Sequence, residues 1–65
     1  MKARELDKYI RDEEHGHAEY VALARKAETA IDKRIFEGMA RDELRHKQNL
    51  LKMKQRLQQR EMKLR

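Results

Sequence analysis

Two series of residues in this 65-residue chain recur at alternating steps of three and four, and no proline interrupts either one. The first runs Leu6, Ile10, Glu13, His17, Tyr20, Ala24, Ala27, and the second Phe36, Met39, Glu43, His46, Leu50, Met53, Leu57. That spacing returns each member to one face of an α-helix, so each series predicts a helix carrying a seam. Val21 and Leu23 widen the first seam; Ile35, Ala40, Leu44 and Leu51 widen the second. The residues between are mostly strong helix formers, weakened only at Gly16 and Gly38. A charged fraction of 45% would also suit a disordered chain, but two regular seams argue for order.

The break falls at Thr29-Ala30-Ile31-Asp32, which reads as a capping box opening a second helix. One helix is expected over about residues 3–28 and another over about 30–60, within one domain. A turn this short makes an antiparallel hairpin. Two helices enclose almost no core, and the chain has no cysteine for a disulfide, a Cys-type zinc site or a thiol nucleophile. The expected fold is therefore all-α, an antiparallel two-helix hairpin that dimerises into a four-helix bundle. No apolar run approaches the roughly 20 residues of a membrane span. The N-terminus has no apolar signal region, so a cytoplasmic chain without membrane contact is expected.

The net charge of +5 is uneven: residues 1–32 carry six Lys/Arg against eight Asp/Glu, and residues 33–65 eleven against four. If the hairpin turns at Thr29, a basic overhang of about residues 57–65 is expected past the start of the first helix. Only Leu57, Met62 and Leu64 continue an apolar pattern there, and no aromatic interleaves the basic residues. No specific nucleic-acid partner is expected.

Three seam positions are wrong for a core: Glu13, Glu43 and His46. A buried carboxylate is costly unless paired or metal-bound. Glu13 lies 16 residues before Thr29 and Glu43 lies 14 after it, so a hairpin brings them to nearly one height. His46 follows Glu43 by one turn on the same face. Two such hairpins related by a twofold axis would supply four carboxylates and two imidazoles, the donor set of a carboxylate-bridged dimetal site. Oxygen-rich coordination suits iron, with manganese as the other candidate. Tyr20, two turns from Glu13, is placed to hydrogen-bond a ligand carboxylate. A lone Glu-x-x-His is a weak signal, since Glu14 and His17 form another; Glu14 lies off the seam and is expected to face solvent or a neighbouring subunit. His17 and His15 are read as structural, Met39 and Met53 as core filler.

Glu13, Tyr20 and the Glu-Leu-Arg-His stretch at 43–46 resemble the pattern of the ferritin-like superfamily, most closely the half-length encapsulated ferritins. The resemblance covers about residues 5–55 and implies a ferritin-like four-helix bundle made by two hairpins. It implies a di-iron ferroxidase centre between subunits, with iron held by Glu13, Glu43 and His46 and Tyr20 in a supporting role. The activity implied is oxidation of Fe(II) by oxygen or peroxide, in a homodimer or a higher homo-oligomer of dimers. Those proteins also carry acidic residues that form a metal-access site; here Asp12 keeps one acid and His15 replaces another. A relation to a protein shell comes with the resemblance alone, and the sequence to Arg65 shows neither the further helix nor the tail used for it. A rubrerythrin-like half-bundle is the neighbouring reading. The competing function is a non-enzymatic helical dimerisation or adaptor module with a basic tail.

Overall fold

The computed structural model describes residues 1–63 and contains, among them, a short 3-10 turn at Ala3–Leu6 and two helices, α1 (Asp7–Lys26) and α2 (Ala30–Lys63). The described residues form no strand. The helices lie antiparallel in a rod of 55 × 14 × 12 Å, whose length is that of α2. No helix among the described residues is long and apolar enough to cross a membrane.

The turn is built by Thr29. α1 ends at Lys26, two residues before the expected end at about 28, because Ala27 goes extended (φ −62, ψ 133). Thr29 can then stand at the head of α2, where its Oγ1 accepts the Asp32 N–H at 3.1 Å and its carbonyl accepts the Lys33 N–H at 3.0 Å. The hydroxyl thus satisfies one of the donors that a helix start leaves without a partner.

At the other end α2 caps the start of the first arm, which also caps itself. The Ala3 N–H donates to Glu61 Oε1 at 2.7 Å, and the Lys2 N–H donates to Glu5 at 2.5 Å. Leu57 packs with Ala3, Leu6 and Ile10, with Leu50 against the cluster. The stretch from residue 57 is therefore no overhang: Leu57 to Glu61 lies alongside the N-terminal turn. The offset is already present in the Glu14–Lys47 and Asp7–Lys54 pairs, before the 3-10 turn is reached, so most of it arises in the non-helical link that begins at the extended Ala27. The 3-10 turn, with a rise of about 2.0 Å per residue against about 1.5 Å, adds only about 2 Å. α2 runs on to Lys63, with Met62 70% exposed; Leu64 lies outside the described residues.

Charged pairs line one flank of the interface. Lys54 Nζ sits 2.6 Å from Asp7 Oδ1 and Lys47 Nζ sits 3.6 Å from Glu14 Oε2. These rungs step by seven along each helix, and the next would join Val21 to Ala40. Neither side chain spans the gap, and a hollow of about 500 Å³ opens there beside Ala24, Arg25 and Glu37. The core is correspondingly small: among the described residues only Ala3, Leu6, Ile10, Ala24, Ala40 and Leu57 are buried. Leu57→Ala is expected to destabilise the metal-free protein by about 2–3 kcal/mol, the usual cost of a truncated core leucine. Urea denaturation measures it; an unchanged midpoint would mean that residue 57 does overhang.

Candidate metal centre

Midway along the rod the seams carry ionisable groups in place of apolar ones, and the hairpin brings these together. One ligand atom from each of Glu13, Glu43 and His46 lies within 4.8 Å of the others. His46 Nδ1 is 3.4 Å from Glu13 Oε2 and 3.8 Å from Glu43 Oε1. Glu13 comes from α1, while Glu43 and His46 stand one turn apart on α2. The carboxylate side chains are about three-quarters covered (24% and 25% exposed), and the imidazole is half open at 48%.

Two observations fit this cluster to a cation. Glu13 Oε2 is buried and has no hydrogen-bond partner, although a carboxylate oxygen removed from water needs one. Glu43 is also held above the usual carboxylate range, chiefly by a proton-sharing contact with the Glu13 carboxyl, then by desolvation and the Glu13 charge. His46 pulls it back and Asp42 pushes it further up. With both carboxylates ionised the two side chains repel each other, and a proton or a metal ion relieves that repulsion.

Gly16 makes the approach of Glu43 to α1 achievable. A Cβ built on Gly16 would overlap Glu43 Oε2 and stand 3.1 Å from its Cδ. Gly38 has no such duty, its nearest neighbour being the flexible end of Arg41 at 3.8 Å. The Glu43 carboxylate thus occupies the space that a side chain at 16 would fill.

The other candidates separate clearly. Tyr20 stacks on Phe36 with centroids 6.5 Å apart and planes 23° off parallel, and no hydrogen bond joins its hydroxyl to Glu13 or Glu43 among the described residues. His17 Nδ1 donates to the Ala40 carbonyl at 2.8 Å, a strut between the helices. Glu14 stays out of the cluster and is engaged within the hairpin, against Lys47. Asp12 and His15 are exposed and do not join the cluster. Sequence reasoning missed the caps and rungs supplied by Glu61, Lys47 and Lys54. The signal for the rungs was there, as opposite charges at matching seven-residue steps on the two arms.

A family model for rubrerythrin matches residues 5–65, nearly the whole chain. The chain belongs to the rubrerythrin family. It is thereby placed in the ferritin-like superfamily, and rubrerythrin-family proteins are typically iron proteins with oxidoreductase activity. Searches of the curated proteins and of the solved structures each returned no significant match.

Two outcomes follow for this rubrerythrin-family site. Because the Glu43 pKa is raised on folding, its stabilising contribution is full below the ordinary carboxylate range and is lost as pH rises through the raised value. Glu43→Gln should therefore raise the melting temperature of the metal-free protein at pH 7, by an amount that shrinks on acidification. Thermal melts at several pH values check this, and a lower melting temperature at pH 7 would contradict it. Gly16→Ala should weaken divalent-metal binding by about tenfold or more, the scale on which outer groups tune a site. Gly38→Ala should leave binding intact and stabilise α2 by up to about 1 kcal/mol. Anaerobic calorimetric titration separates the two.

Proposed function

We propose that this chain is a half-length, encapsulated-ferritin-like ferroxidase that works as a dimer of hairpins, with a carboxylate-bridged di-iron site at the dimer interface. The observation that carries the reading is the convergence of Glu13, Glu43 and His46 at an open edge of the hairpin. The α2 seam divides there. Phe36, Glu43, Leu50 and Leu57 are buried or half-buried, while Met39, His46 and Met53, also seven residues apart, are exposed.

A single hairpin offers three donors, too few to complete two metal ions. A second copy across a twofold axis doubles the set and covers Met39 and Met53. Four carboxylates would then balance two divalent cations, with two neutral imidazoles completing the donors. Hard oxygen donors favour iron or manganese, and the family favours iron. Ferrous ions are the substrate, each giving one electron to dioxygen or peroxide. The protein's part is to hold them: Glu13 through its orphaned Oε2, Glu43 from the cradle over Gly16, and His46 from the open side. Tyr20, whose hydroxyl makes no bond to a ligand within its own hairpin, is assigned to a ligand carboxylate in the assembled dimer.

Sedimentation at micromolar concentration should give a dimer or a multiple of it, with about two metal ions per dimer. Growth of ferric absorbance in air should vanish in Glu13→Ala, Glu43→Ala and His46→Ala, persist in Glu14→Ala, and change only modestly in Tyr20→Phe. If all three ligand variants oxidise iron like the parent, the hairpin is a dimerisation or adaptor module instead.

A further inference from the structure

The outward face of α2 carries a second pattern that the metal centre does not use. Arg34, Arg45 and Arg56 stand 11 residues apart, and Arg41, Lys52 and Lys63 repeat the same interval. Eleven residues make almost three full turns, so each series runs nearly parallel to the helix axis. At about 100° per residue the six cations fall within a sector of roughly 60°, about 43 Å long. All six are exposed. The residues of α2 that touch α1, among them Ala40, Lys47, Lys54 and Glu61, lie on the opposite side of the helix.

No acid interrupts this rail. Asp42 and Glu37 flank it at its edges, and the other polar residues on that face are the amides Gln48, Asn49 and Gln59. Arg45 has a neighbour in Asp42 at 3.3 Å, an exposed pair of the kind that contributes little. The outward face of α1 is built differently: Lys8, Arg11 and Lys26 alternate with Asp12 and Glu19. The basic charge of the chain is therefore no property of its tail. It is a straight array along a rigid, unobstructed helix.

We propose that this rail binds the phosphate backbone of double-stranded DNA without reading its sequence. Four of the six cations are arginine, whose planar fork suits phosphate. The face offers no large apolar residue between its cations to insert into a lipid surface, and no aromatic on which a single strand could stack. With α1 packed behind it, α2 presents this face as a ridge that can lie along the phosphates bordering the B-form major groove, about 12 Å wide, whereas the major groove of duplex RNA is narrow. The inference is independent of the metal centre, because none of the six residues touches it.

The test titrates the full-length protein with a labelled 30-base-pair duplex of arbitrary sequence, by anisotropy, at several salt concentrations. Four to six phosphate contacts predict a slope of log K against log salt between about −3.5 and −5.5, the same for unrelated sequences. The triple variant Arg34→Gln, Arg45→Gln, Arg56→Gln should flatten the slope by about 2.7, and so should Arg41→Gln, Lys52→Gln, Lys63→Gln. Lys8→Gln, Arg11→Gln, Lys26→Gln removes the same net charge from α1 and should change the slope by less than about one. All nine positions are exposed, and circular dichroism confirms that each variant remains helical. Equal losses from the α1 and α2 triples would reduce the effect to net charge and overturn the proposal. So would tighter binding to vesicles of phosphatidylserine and phosphatidylcholine than to the duplex, or binding to one sequence alone.

Discussion

Glu13 and Glu43 repel each other across the helix interface, and much of the hairpin is arranged around that fact. Seven-residue steps that elsewhere bring Leu6, Ile10, Leu50 and Leu57 inward bring carboxylates inward at mid-length. Contact with the Glu13 carboxyl, then desolvation and the Glu13 charge, raise the Glu43 pKa, and Glu13 Oε2 is buried without a hydrogen-bond partner. Around it stand groups that hold the arms together regardless: the His17 strut to Ala40, the Lys47–Glu14 and Lys54–Asp7 pairs, and the Glu61 cap on Ala3. The exposed pairs are individually weak. Their value lies in fixing the relative height of α1 and α2, since a small shift would separate Glu13 from Glu43.

Stability and chemistry therefore compete for the same stretch of seam. An apolar pair at 13 and 43 would enlarge a core that is otherwise confined to the pole and a pair of alanines. The competition is most visible at Gly16. A glycine inside a helix costs about 1 kcal/mol relative to alanine, and here it makes room for the Glu43 carboxylate. Gly38 carries the same helix penalty with no contact to justify it.

Periodicity made the two helices legible and the Thr29–Asp32 capping signal their turn; together they made the meeting of Glu13, Glu43 and His46 legible, because the seams give each residue its phase and the turn its height. The helix ends were less legible. α1 stops early because of one extended residue, Ala27, and nothing in an alanine announces that. Counting residues from Thr29 misplaces the C-terminal stretch because it assumes helical rise from the turn onward on both arms, and the extended link at Ala27 breaks that equality. Gly16 was visible as a small residue near the site, but its role depends on which rotamer Glu43 adopts, and a one-dimensional pattern does not contain that. Summed by segment, the charge of the second half reads as a tail, because a sum does not carry the 11-residue order.

The hydrogen bond from Ala3 to Glu61 has a consequence for how this rod can be joined to anything else. It holds the beginning of the first arm and the far end of the second at one pole, while the turn around Thr29 occupies the other. A segment fused to either end would emerge from the same side, as two leads leave the same end of a plug. The turn pole would stay bare, and whatever tethers the molecule would set the direction in which its Thr29 tip points.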